Sequence, residues 1–306
     1  MRISLRAGRR QGTVGGMTFN DNAQVGGTTA KRRGGGAVAA GAGGLAGLGA
    51  IAVLLLNLFT GGDFSGLLGG GSSTDSGQGE AITDCQTGAD ANRDDDCRLV
   101  LGAAVVDKYW TDTLQGYRAP QLIIVEGSTN TACGTASNAT GPFYCPPEET
   151  VYIDPTFFQL LRDQFGASGG DLAQLYVLAH EYGHHVQQLI GVFDQYPNNG
   201  SGPDSNSVRT ELQADCFAGA WVASASSQLD ANGVAFLKPP TEAEIADALN
   251  AAAVVGDDHI QQSSGGVVSP DSWTHGSSEQ RQKWFATGYQ QGASACDTFA
   301  VSGGSL

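Results

Sequence analysis

The chain has 306 residues, of which 41% are hydrophobic and 15% charged, with 45 glycines and a formal net charge of −15. That length suits one sizeable domain with appendages, or two small ones. The acidity argues against a nucleic-acid partner, which would need a basic face.

The charge is uneven. Residues 1–36 hold seven basic side chains and a single acid, Asp21, so the acidic excess lies entirely downstream. This basic, glycine-rich front is expected to be disordered. Residues 37–59 carry no charge. As a helix they would reach about 34 Å, enough to cross a hydrocarbon core of about 30 Å. Lys31, Arg32 and Arg33 stand just upstream, so the positive-inside rule keeps residues 1–36 in the cytoplasm and exports the chain beyond residue 59. A cleaved signal peptide and a Gly/Ala-rich linker are the alternatives. The basic front is long for the first, and the apolar run exceeds a typical signal core.

Residues 60–84 read as a Gly/Ser-rich linker, residues 85–300 as the folded domain and residues 301–306 as a tail. All six cysteines lie after residue 84, which fits disulfides in an exported domain. The sequence leaves several pairings open. Loops of about a dozen residues favour Cys85–Cys97 and Cys133–Cys145, and Cys216–Cys296 is the pair that then remains.

Within the domain, residues 98–114 carry an apolar helical stripe. Residues 121–125 and 149–153 read as strands. Asp154 and Pro155 open a helix to about residue 165 as N-cap and first helical residue. The next helix spans about 170–190, with Asp171 as expected cap and Gly191 as stop. A turn-rich loop at 194–204 precedes a helix over 207–227. Thr241 and Glu244 form a capping box, and a last helix starts near Ser277. The fold class is α+β, mostly helical with a small sheet near its front.

The 170–190 helix contains His180-Glu181-Tyr-Gly-His184. Residues at i and i+4 share one helix face, which suits two imidazole ligands of one zinc ion. Glu181 lies beside that face, where a carboxylate can take a proton from water. The apolar flanks bury the helix, and buried polar groups need partners. A third ligand must come from elsewhere. Ile190 stands where an extended three-histidine arrangement would need His, which excludes that arrangement. Glu211 and Asp215, again i and i+4, supply another: Glu211 as ligand, Asp215 behind a ligand histidine. A solvated acidic face or a pair with Arg209 is the alternative.

The chain resembles the bacterial membrane-anchored neutral zinc metallopeptidase family. The likeness rests on the basic front and span, His180-Glu-Tyr-Gly-His184-His185-Val-Gln, Glu211-Leu-Gln-Ala-Asp215-Cys-Phe-Ala-Gly-Ala-Trp221, Gly276-Ser-Ser-Glu-Gln-Arg281 and Gly141-Pro-Phe-Tyr-Cys-Pro146. It implies a zincin-like metalloprotease domain with a Glu third ligand, anchored in the bacterial cell membrane. It implies no established substrate.

The expected reaction is peptide-bond hydrolysis with one catalytic Zn2+ and Glu181 as general base. The oxyanion donor is not fixed by sequence, His275 and more weakly Tyr289 being candidates. His185 reads as a packing or supporting residue, and His259 as a surface residue. A strand near 149–153 is a weak candidate for pairing with substrate. The competing readings are an inactive zinc-stabilised envelope domain that binds partner proteins, and zinc hydrolysis of a non-peptide amide.

Overall fold

The computed structural model describes residues 19–26, 30–34, 79–167 and 169–306. The expected span at 37–59 and most of the expected linker lie outside them. Among the described residues, no helix is long and apolar enough to cross a membrane.

A five-stranded sheet runs in the order β2-β1-β3-β7-β6, from β1 (Lys31–Gly34), β2 (Glu80–Ala81), β3 (Gln121–Glu126), β6 (Phe143–Cys145) and β7 (Thr150–Ile153); β4 (Ser128–Thr131) and β5 (Gly134–Ser137) form a separate hairpin. β1, β3 and β7 are parallel, while β2 and β6 pair antiparallel at the two edges. Side chains alternate across the sheet. Leu122, Ile124, Val151 and Ile153 join the main core, while Ile123, Val125, Tyr152 and Phe143 cluster with Ala136 of the hairpin. Covering both faces buries residues 122–125 of β3 completely, which explains their unbroken apolar run.

The N-terminal expectation needs correction. Residues 31–34, expected within a disordered cytoplasmic segment, form β1 in the interior of the sheet. Phe19 is buried and bridges Leu237, and the Asn92 side chain holds both the N–H and the carbonyl of Phe19. The folded unit therefore includes residues well before Cys85. The C-terminus is likewise no free tail. Leu306 is buried, Arg209 donates to the Val301 carbonyl, and Lys283 to that of Ser305.

The main helices are α1 (Asp95–Thr113), α2 (Thr156–Phe165), α3 (Asp171–Leu189), α4 (Asn206–Ala225), α5 (Glu242–Val254), α6 (Asp257–Ser263) and α7 (Ser278–Gln291). The expected box of Thr241 and Glu244 caps α5, and a second box, of Ser277 and Gln280, caps α7 at its expected start. Gly191, at φ +78°, ends the α3 path as expected. Asp171 is the first residue of α3 rather than its cap, which is Gly170. The expected start of α2 shifts by one residue: Pro155 is its N-cap rather than its first helical residue, and Asp154, one position earlier, accepts from the Thr156 N–H.

Three glycines set the helix packing. A Cβ at Gly183 of α3 would lie 3.0 Å from the Ala214 Cα of α4. Added at Gly219 of α4 it would lie 2.0 Å from the Phe285 carbonyl oxygen of α7, and at Gly288 of α7 1.8 Å from that of Cys216. Without side chains at these points, α3, α4 and α7 meet backbone to backbone. The disulfides are Cys85–Cys97, Cys133–Cys145 and Cys216–Cys296, and the last ties the segment after α7 to α4.

Candidate metal centre

α3 and α4 run antiparallel through the contact at Gly183. His180 meets Asp215, His184 meets Glu211, and Gln187 meets Thr210. The i and i+4 spacing on each helix therefore brings both pairs face to face. His180 Nε2 lies 3.2 Å from Glu211 Oε2, and His184 Nε2 lies 3.5 Å from Glu211 Oε1. One ligand atom from each of the three side chains lies within 4.8 Å of the others.

That cradle fits a zinc ion. Bonds of about 2.0–2.1 Å to a tetrahedral ion put neighbouring ligand atoms about 3.3 Å apart. Two imidazoles and one carboxylate are also a zinc donor set, and every cysteine is in a disulfide, so none competes.

Two buried polar systems orient the histidines. His180 Nδ1 lies 2.8 Å from Asp215 Oδ1. Asp215 also accepts from the Tyr176 hydroxyl and takes two bonds from Arg281, Nε at 2.8 Å and Nη2 at 2.9 Å. Arg281 further donates to the Val255 carbonyl. His184 Nδ1 instead faces Gln187 Oε1 at 2.9 Å.

Charge is set by these contacts. Burial raises the Asp215 carboxyl, but Arg281 and His180 outweigh it and hold it at about 2. Burial likewise raises Glu211, and His184, His180 and His275 draw it below the usual carboxylate range. His180 loses to burial yet is pushed up to about 10 by Asp215 and Glu211. Glu181 behaves differently. Burial raises its carboxyl, and neither the two histidines nor the backbone N–H of Tyr144 fully compensates. Such a carboxyl accepts a proton more readily than an exposed one.

His180, Glu181, His184 and Glu211 line a cavity of about 450 Å³, with Asp215 behind its wall. Its wall includes His275, whose Nδ1 lies 3.2 Å from Asp257 Oδ1. The second oxygen of Asp257 accepts the backbone N–H groups of residues 274, 275 and 276, fixing the turn before α7. Tyr289, the weaker candidate, is half-buried, stacks on Phe285 and does not line the cavity.

β6 closes one wall with Phe143 and Tyr144. The Tyr144 hydroxyl bonds His185 Nδ1 at 2.9 Å and donates to Gln188 at 2.6 Å, and His185 Nε2 reaches the Arg118 carbonyl at 2.6 Å. His185 thus clamps the sheet to α3, as its reading as a supporting residue expects. The strand at 149–153 is a correction: β7 lies between β3 and β6 and has no edge to offer, so the sheet edge at the cavity is β6. His259, expected at the surface, is half-buried.

The structure therefore brings His180, Glu181, His184, Glu211, Asp215 and His275 to one cavity or its immediate support. Tyr176, Tyr144, Gln187, Asp257 and Arg281 are functional neighbours that the sequence did not reveal. Tyr144 and Arg281 stood in family-like runs without a role.

The family described as "Putative neutral zinc metallopeptidase" matches residues 9–299. An uncharacterized protein of Mycobacterium tuberculosis is 50% identical over 223 residues, 72% of this chain and 76% of that protein. Uncharacterized protein YpfJ of Escherichia coli is 47% identical over 192 residues, 61% of this chain and 63% of that protein. No solved structure matches.

Proposed function

The chain belongs to the neutral zinc metallopeptidase family, and on that basis we propose that it hydrolyses peptide bonds with one zinc ion held by His180, His184 and Glu211. The observation that carries this reading is the position of Glu181. It is buried on the ligand helix, beside both histidines and on the cavity, with its carboxyl raised. A purely structural metal site has no use for such a group.

When bound, zinc supplies an acidified water and a positive charge for the developing oxyanion. Glu181 accepts a proton from the attacking water and passes it to the leaving amine. His275 is the donor we assign to the oxyanion. Burial lowers its affinity for a proton, but Asp257 and Glu211 more than compensate, so it stays a donor. Asp257 fixes its ring, and Asp215 fixes that of His180. An extended substrate would lie along β6, where the sheet ends at the cavity.

We place this activity outside the cytoplasm, because all six cysteines are paired and such pairs persist in oxidising compartments. Residues 37–59 are our proposed membrane contact, with the flanking strands β1 and β2 both on the outer side.

Zinc dependence is tested on the full chain with a broad peptide library. Chelation should abolish cleavage and stoichiometric zinc should restore it. Cleavage that survives complete zinc removal would sink the proposal.

A further inference from the structure

Metal ligation by His184 through Nε2 requires a neutral ring with its proton on Nδ1. Nothing within the ring decides that tautomer; with Nε2 facing Glu211 Oε1 at 3.5 Å, the closer partner of Nδ1 must hold the proton there. That partner is Gln187 Oε1, at 2.9 Å. A glutamine amide can present either its oxygen or its NH2, so the question becomes what orients Gln187.

The answer lies farther along α4. The Gln187 NH2 has two acceptors, the Thr210 carbonyl at 2.7 Å and Gln213 Oε1 at 3.0 Å. Gln213 presents its oxygen there because its own NH2 donates to the Cys296 carbonyl at 2.8 Å. Backbone carbonyls only accept. Those at Thr210 and Cys296 therefore draw both NH2 groups towards themselves and turn both amide oxygens back towards His184. Gln187 is wholly buried and Gln213 nearly so, so water offers no alternative partner. Reversing either amide would set NH2 against NH2, or carbonyl against carbonyl, in the interior. Cys296 is held in turn by its disulfide to Cys216 on α4.

We infer that Gln187 and Gln213 form a directional amide relay that fixes the Nδ1–H tautomer of His184 and so readies its Nε2 for metal. They are positioning residues. The two histidines are thus set by different means, His180 by a charged carboxylate and His184 by neutral amides. Thr210 precedes Glu211, so the same relay ties His184 to the backbone beside the third ligand. The inference rests on His184 being a zinc ligand.

The test uses the full chain and two readouts. In metal-free wild type, ¹⁵N shifts of the His184 ring should report the Nδ1–H tautomer. In Gln187→Met that preference should be lost, and zinc affinity, measured by competition with a chromogenic chelator, should weaken about 10- to 100-fold. Gln213→Met should shift both in the same direction by less. The midpoint of metal-free unfolding separates these effects from general loosening. An Nε2–H tautomer in wild type overturns the relay even if neither variant folds. So does a folded Gln187→Met protein with wild-type tautomer and affinity. If wild type binds no zinc yet shows the Nδ1–H tautomer, the zinc reading fails and the relay stands.

Discussion

Glu181→Gln is expected to lower kcat for peptide hydrolysis by about 100- to 10,000-fold, the usual worth of a positioned general base, while zinc content and fold stay unchanged. The substitution keeps the shape of the side chain and removes its basicity. Glu181 is not one of the three groups that meet in the cradle, so the metal should be retained. Glutamine can keep the bond from the Tyr144 N–H, so the wall at β6 should also hold. The measurement is kcat on a cleaved library peptide, beside elemental analysis of zinc in both proteins. A variant that keeps its zinc and loses less than about threefold in kcat would remove Glu181 from the mechanism. Indifference to this change, joined to unfolding after His184→Ala, is the outcome expected of an inactive zinc-stabilised domain.

The second large effect falls on stability. Arg281→Met is expected to destabilise the metal-free protein by about 3–5 kcal/mol, the typical loss when one partner of a buried ion pair is removed. Arg281 and Asp215 have side chains 4% and 0% exposed, joined by two hydrogen bonds. Without the guanidinium, Asp215 keeps only His180 and the Tyr176 hydroxyl. Arg281→Lys restores a charge but not the two-pronged geometry, so an intermediate loss is expected. Denaturant unfolding measures both.

The pH dependence has a definite sign. Asp215 sits at about 2 in the folded protein, below its ordinary 3.8. A depressed carboxyl contributes its stability above the unfolded value and loses it as pH falls through the folded one. The Arg281→Met deficit should therefore be full at neutral pH and shrink from about pH 4 towards pH 2. A deficit under about 1 kcal/mol at pH 7 would show that the pair contributes little.

How much the sequence revealed depends on the distance over which each feature is built. His180, Glu181 and His184 were legible because one helix places them, and Glu211 with Asp215 for the same reason on a second helix. The antiparallel contact at Gly183 that joins the two sets is tertiary and has no local signature. Arg281 lies 66 residues beyond Asp215, and Asp257 lies 18 before His275, so neither partnership could be read from spacing. β1 was missed for another reason. Lys31, Arg32 and Arg33 before an uncharged run read as a membrane signal, whereas their strand partner lies some ninety residues on. Arg32 meets Asp96 and Glu126 there, which makes a basic stretch acceptable in a sheet. β6 is three residues long, too short for alternation to show, although it carries the cavity wall.

The most direct test of the metal centre is anomalous diffraction at the zinc edge from crystals of the zinc-loaded protein. One peak is expected about 2.0–2.2 Å from His180 Nε2, His184 Nε2 and a Glu211 oxygen, with its fourth position open to the cavity beside Glu181 and His275. A peak elsewhere, or one whose fourth position is closed by another protein side chain, would contradict the assignment.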